Sequence, residues 1–226
     1  MRTLLRAIPV QSTSLVAALL LSACSVLPTP TPLRTFTLPE APLEKLPQER
    51  RIADAAPTLD LTLRVETPRA NAPLDGVRIL VQPSARELKI YAGSRWRDRA
   101  PVLLQERLIH ALRRGGRLGA IVDDSSRARD DVLLSSRLAG FHSRYRQDAP
   151  EVVIELDAQL IDARQGRVLA SRRFSSVQPA DGENIEAIVA AFGRAADRLD
   201  RQIVDWTAAR LGEAAKRRAT ARFPDR

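Results

Sequence analysis

The chain has 226 residues, 44% hydrophobic and 28% charged, a globular mixture that excludes both a disordered tail and a multi-span membrane protein. A chain of this length buries roughly 70% of the surface its unfolded form exposes, so it needs no staples to build a core. One cysteine rules out an internal disulfide, and one cysteine with two histidines cannot close a four-ligand zinc site without carboxylates, so no metal site is assigned.

The formal net charge of +9 invites a nucleic-acid reading. Its distribution argues otherwise. Without the first 23 residues, which carry Arg2 and Arg6, 34 basic residues face 27 acidic ones, and residues 207–226 alone hold +4 of that +7. The body of the protein is therefore nearly neutral, and no nucleic acid is expected as a partner.

The chain opens with Arg2 and Arg6, then the apolar run Leu15 to Leu21, then Leu21-Ser22-Ala23-Cys24. The run falls far short of the roughly 20 residues a spanning helix requires and reads as a signal-peptide core. Leu-Ser-Ala-Cys resembles the bacterial lipobox. That resemblance implies transfer of diacylglycerol to the Cys24 sulfur, cleavage after Ala23 and acylation of the new amino group, a covalent lipid anchor with no other cofactor. Ser25, where Asp would favour inner-membrane retention, resembles an outer-membrane address with the domain on the periplasmic face.

Pro28, Pro30 and Pro32 favour polyproline II, so Ser25 to Pro32 spans only about 25 Å. Leu33 to Leu38 can form a first strand before a proline-rich loop from Pro39 to Pro57. From Thr58 the pattern is regular: Leu59, Leu61, Leu63 and Val65 alternate with polar residues, Val77, Ile79 and Val81 repeat this, and Leu88 to Gly93 suggests another strand. Asp98 stands where a cap is expected, Pro101 suits a first turn, and Leu104, Leu108, Ala111 and Leu112 follow at helical spacing to Gly115-Gly116. Leu118 to Val122 reads as a strand.

The second half reads as a meander. Val132 to Tyr145 is apolar with an irregularity at Gly140, Val152 to Leu160 alternates strictly, and Asp162 to Gly166 turns the chain back through Val168, Ala170 and Phe174. A long amphipathic helix follows, with Ile185, Ile188, Val189, Phe192, Ala196, Leu199, Ile203 and Trp206 on one stripe. The fold class is α+β, an α/β sandwich: a single domain with an antiparallel or mixed β-sheet and two amphipathic helices packed on it. Beyond Leu211 the sequence predicts a frayed basic tail. The organisation is a signal peptide over 1–23, an anchored N-terminus over 24–57, the domain over 58–211 and the tail over 212–226.

No nucleotide-binding motif is present, since Gly115-Gly116 lacks a following Lys-Ser or Lys-Thr and no GxGxxG opens a helix. Asp123-Asp124 and Asp130-Asp131 lie between arginines with no histidine partner and read as loop boundaries. His110 reads as a half-buried packing residue. His142 would need a nucleophile on a sharp elbow to form a triad, and no such motif occurs, so no catalytic residue is assigned. Core packing is the default for Trp96 and Trp206, although Trp96 amid Arg95, Arg97 and Arg99 is also a candidate contact. Lys216-Arg217-Arg218 reads as a solvated tail or as a contact for lipid headgroups or an acidic protein.

Leu33-Arg-Thr-Phe-Thr-Leu-Pro, Leu88-Lys-Ile-Tyr-Ala-Gly-Ser-Arg-Trp-Arg-Asp-Arg-Ala-Pro-Val-Leu-Leu-Gln and Leu160-Ile-Asp-Ala-Arg-Gln-Gly-Arg-Val-Leu-Ala-Ser-Arg-Arg-Phe together resemble the ABC-type transport auxiliary lipoproteins, the PqiC/YmbA-like group. The resemblance covers about residues 33–208 and is most specific over Tyr91 to Gln105, with Phe36 standing where Tyr would be expected. It implies a non-enzymatic lipoprotein, held to the membrane by its anchor, that works with an MCE-domain protein, an ABC permease and an ATPase in lipid transport. It carries over no catalytic residues and is compatible with self-association as a homo-oligomer. On this reading Trp96, Arg95 and Arg97 are candidate partner-docking residues. The alternatives are a structural envelope lipoprotein that binds peptidoglycan or another assembly, and an exported hydrolase with a nucleophile near His142.

Overall fold

The computed structural model describes residues 32–40 and 58–222, with side chains placed through Arg217. Cys24, the signal peptide and most of the Pro39 to Pro57 loop lie outside the described residues. The chain divides between Pro32 and Leu33 into two units, and the architecture below is that of the second.

Among the described residues nine strands form one mixed sheet: β1 (Arg34–Phe36), β2 (Leu59–Val65), β3 (Arg69–Ala70), β4 (Arg78–Ser84), β5 (Glu87–Trp96), β6 (Leu118–Val122), β7 (Val132–Arg146), β8 (Ala149–Asp162) and β9 (Arg167–Pro179). Helix α1 (Ala100–Arg114) connects β5 to β6, and α2 (Ile185–Arg222) is the last described element. The mixed sheet with two helices is the architecture the alternations predict.

β7 organises the sheet. On one side it pairs antiparallel with β8, which pairs antiparallel with β9, as the strict alternation of Val152 to Leu160 predicts. The register slips between Leu138 and Gly140, the site of the expected irregularity. On its other side β7 meets three parallel partners in turn: β2 (Leu63 to Val132), β3 (Arg69 to Arg137) and β4 (Val81 to Ser143). β6 extends the sheet beyond β2, and β5 with β1 extends it beyond β4.

Two turns close the meander differently. Gly166, at φ 64, returns its N–H to Asp162 O at 2.8 Å, a left-handed position where a side chain would be strained. The β7–β8 turn has only Gln147 and Asp148, at φ 50 and 59, the two-residue geometry that favours Asn-Gly.

Both helices bury their apolar stripes against the sheet in one shared core that includes Leu104, Leu108, Leu134, Ile154, Leu156, Phe192 and Leu199. Phe174 and Trp206 meet edge to face at 5.3 Å. Two helix-end expectations need correction. Asp98 does not cap α1 from the N-cap position, which Arg99 occupies without a side-chain bond to the helix; the Asp98 carboxylate instead accepts from Arg99 N at 2.6 Å. The predicted fraying beyond Leu211 is also replaced by continuous helix to Arg222. Leu211 is buried, alanines 208, 209, 214 and 215 favour the helix, and Arg210 pairs with Glu213 three residues on at 2.8 Å.

Candidate functional site

β5 passes through Gly93, at φ 66, and ends at Trp96, three residues beyond the expected stop. There it is fixed on both sides: Trp96 N donates to Val77 O and Arg97 N to Phe36 O, each at 2.7 Å. The Trp96 indole is fully buried, edge to face with Phe192 at 5.1 Å and tilted against Phe141 at 5.7 Å. This corrects its candidacy as a docking contact. Residues on a strand alternate between faces, so the exposure of Arg95 and Arg97 sends the residue between them inward, where α2 covers it. Its Nε1 has no hydrogen-bond partner, a polar cost the aromatic packing offsets.

Arg95 and Arg97 are exposed. Arg95 Nε donates to Thr35 Oγ1 at 3.2 Å and stands in register opposite Arg78, which places two cations side by side. Arg97 is bonded to Glu106 and Arg99 to Asp75, the latter at 2.9 Å. Arg95 and Arg97 thus form an exposed rim at the strand end, turned away from the buried indole, and Arg95 beside Arg78 is the part of it that brings two cations together.

Residues 38–40 form a strap across the helix layer. Leu38 is buried, and Pro39 lies so close to Gly193 that a Cβ there would sit 3.0 Å from Pro39 Cβ and O. The Pro39 carbonyl accepts a hydrogen bond from Arg107 Nη1. Glu40 accepts from Arg114 at 2.9 Å and lies 3.3 Å from His110 Nδ1. Burial pushes the Glu40 carboxyl up, and the contacts from Arg114 and His110 outweigh it, leaving it below its ordinary range. His110 itself is more than half exposed, a correction to the packing role read from its helix position: it turns outward to the strap.

At the other end of α2 an apolar cavity of about 260 Å³ opens between the helix and the ends of β2, β7 and β9. Leu59, Leu61, Val132, Leu169 and Leu211 line it, with Ala214 and Ala215 closing the helix side and Asp60 completing the β2 wall. Sequence reasoning missed it, because three of its walls lie at or beyond the residue where the tail was expected to fray. The Leu211, Ala214, Ala215 spacing of three and four was the available signal.

The carboxylates read as loop boundaries serve that purpose. Asp131 Oδ2 accepts from Thr62 N at 3.0 Å, Asp130 pairs with Arg64 at 3.0 Å, and Asp123 Oδ1 accepts from the Ser125 and Ser126 amides at 2.9 and 3.1 Å. Arg64 also donates to the carbonyls of Asp123, Ser126 and Ala128 and so holds that loop from inside. His142 lies on the face of β7 opposite Ser143. Ser143 is fully buried, 2.8 Å from the Tyr91 hydroxyl, so these neighbours in sequence do not form a dyad. Burial, then the Arg144 charge, lowers the His142 pKa against an opposing pull from Glu155.

A family model described as ABC-type transport auxiliary lipoprotein component matches residues 43–204. An uncharacterized protein of Bradyrhizobium diazoefficiens is 30% identical over 172 residues, covering 74% of this chain and 46% of the relative, so the chain spans about half that relative's length. The crystal structure of protein XCC0632 from Xanthomonas campestris superposes with a TM-score of 0.69 at 27% identity, over 81% of this chain and 98% of that one. A second, uncharacterized crystal structure superposes with a TM-score of 0.58 at 20% identity over 78% of this chain and shares the fold.

Proposed function

From the membership of this chain in the ABC-type transport auxiliary lipoprotein family, we propose that it is a non-catalytic adaptor tethered by lipid on Cys24 to the periplasmic face of the outer membrane. There it docks the MCE-domain protein of an ABC-type lipid transport system, with the permease in the opposite membrane and the ATPase on its cytoplasmic side. The observation that carries this reading is the family match over 43–204, which begins 19 residues after the single cysteine of a lipobox-like signal.

The physical logic is local concentration. Lipid exposed to periplasmic water is opposed by every methylene, so transfer requires a closed path between membranes. Acyl chains, each contributing about 0.8 kcal/mol per buried methylene, hold the domain at the bilayer without a spanning segment. A partner that binds the domain is thereby concentrated at that membrane. The exposed Arg95 and Arg97 are the contact residues this proposal retains, with Trp96 supporting them from beneath.

The test is fractionation with partner capture. Wild-type protein is expected in the outer-membrane fraction with a mass increment on Cys24 for three acyl chains, and it should co-purify with the MCE-domain protein of the same organism. Cys24→Ala should shift the protein to the soluble fraction or leave its signal uncleaved. Recovery of unacylated wild-type protein from the soluble periplasm would overturn the proposal.

A further inference from the structure

Gly193, Asp197 and Asp200 of α2 stand four and three residues apart and share one helix face, the one that meets α1 and the strap. Pro39 covers this stripe at Gly193, and its carbonyl accepts from Arg107 Nη1. The other donors of that guanidinium go to the two carboxylates: Nη2 to Asp197 at 2.6 Å and to Asp200 Oδ2 at 2.9 Å, and Nε to the same Asp200 oxygen at 3.2 Å. The Arg107 and Asp200 side chains are 3% and 5% exposed, and Asp200 Oδ1 has no hydrogen-bond partner inside this enclosure.

We propose that the strap over residues 38–40 is a latch governed by the charge state of Asp200, seated while that carboxyl is neutral and opening more readily once it is ionised. An ionised carboxylate with one oxygen buried and without a donor is costly, and water is the donor that relieves it. Lifting Pro39 off Gly193 gives up the Arg107 bond to its carbonyl and uncovers a stripe that Asp197, 20% exposed, already extends toward solvent. Burial, opposed by Arg107, raises the Asp200 carboxyl to about 6, against about 3.9 for a carboxyl in water. The seated strap therefore binds the proton more tightly than the open one, so its closure is strongest below about pH 4 and weakens as pH rises through 6. A difference of about two units allows up to about a hundredfold change in the opening equilibrium. The other charges around the pair do not reverse this sign. Asp197 raises and Arg114 lowers the Asp200 carboxyl, Glu40 lies below its ordinary range and stays ionised, and a proton gained by His110 on acidification adds to the hold on Glu40. Phe36 O accepts from Arg97 N at 2.7 Å just before the strap begins, so opening also loosens the strand edge beside the arginine rim. The latch is a property of the strap and does not depend on what that rim contacts.

The test is hydrogen exchange of the full-length protein in detergent, read on the amides of Thr37, Leu38 and Glu40 and corrected for intrinsic exchange rates. Their protection should fall at least tenfold between about pH 4.5 and 7.5 in wild type, and stay level within about threefold in Asp200→Asn, which keeps the neutral form. At pH 7.5, about 0.5 M urea should lower the protection of Val152 to Leu160 in β8 and leave the strap amides unchanged, the mark of a local opening. Strap protection that ignores pH, or that follows pH equally in Asp200→Asn, would overturn the proposal. Loss of the response in His110→Gln would assign it to the imidazole and overturn the role of Asp200. Strap amides that lose protection in urea in step with β8 would make the opening a global unfolding, with no latch at all.

Discussion

Arg107 of α1 and Asp200 of α2 form an ion pair inside the helix layer, with Nη2 and Nε donating to Asp200 Oδ2 at 2.9 and 3.2 Å. Nη2 also donates to Asp197 at 2.6 Å, and Nη1 reaches the Pro39 carbonyl, so one guanidinium ties both helices to the strap. The second Asp200 oxygen has no hydrogen-bond partner. Burial pushes the Asp200 carboxyl up to about 6 even though Arg107 and its bonds pull it down, so desolvation outweighs attraction at this carboxylate.

The sign of the pH dependence follows. The folded state holds the Asp200 proton more tightly than the unfolded chain does, so this group's contribution to stability is full below about pH 4 and is lost as pH rises through 6. The half-buried Asp157, held down at about 2 first by its bond from Arg173 and then by Arg137, acts in the opposite direction at lower pH. Denaturation midpoints of wild type minus Asp200→Asn should therefore fall between pH 4 and 6 and level off above. At pH 7 Arg107→Leu should cost about 3–5 kcal/mol by leaving the carboxylate unpaired, and adding Asp200→Leu should recover much of it. Equal losses in the single and double variants would refute the arrangement.

Gly193 sets the height of the strap. Its replacement by valine puts branched bulk where even a Cβ lies 3.0 Å from the Pro39 backbone and ring. The expected cost is roughly 1–3 kcal/mol from overpacking, together with faster limited proteolysis within residues 37–40. Cleavage at the wild-type rate would show that Pro39 does not depend on this glycine.

The β7–β8 turn has residues ill suited to its backbone. Replacing Gln147 and Asp148 with Asn and Gly should raise stability by about 0.5–1 kcal/mol, because both positions hold positive φ. A chevron of folding rates would read the change, and a lower midpoint for the double variant would contradict the turn geometry.

Trp96 and its neighbouring arginines separate by readout. Trp96→Ala should lose about 3–5 kcal/mol, since it empties the contact with Phe141 and Phe192. Arg95→Glu with Arg97→Glu lies on the exposed rim and should keep the melting temperature within about 2 °C while weakening partner capture. If the arginine pair leaves capture intact, the rim is not a docking contact.

Much of this fold is legible in the sequence where a pattern is local. The alternation of Val152 to Leu160 predicts β8, Gly140 marks the slip in β7, and Asp162 to Gly166 closes the last hairpin. The parallel pairings of β2, β3 and β4 with β7 are not legible, because they join segments about sixty to seventy residues apart and leave no short-range signal. The candidate sites divide the same way. Arginines alternating around Trp96 look alike whether the strand end is open or covered, and only Phe192, nearly a hundred residues on, decides it. Glu40 and Gly193 meet the rest of the strap site through tertiary packing that periodicity does not encode.

The three parallel partners of β7 also impose an order on folding. Synthesis runs from the N-terminus, so β2, β3 and β4 emerge long before the strand that completes their hydrogen bonding. Until β7 appears their ladder edges stand open, a state that invites mispairing and slows acquisition of the native state. The β7–β8–β9 hairpins close over short loops and hold the central partner that the earlier strands require, so a truncation after β6 should leave β2, β3 and β4 without it.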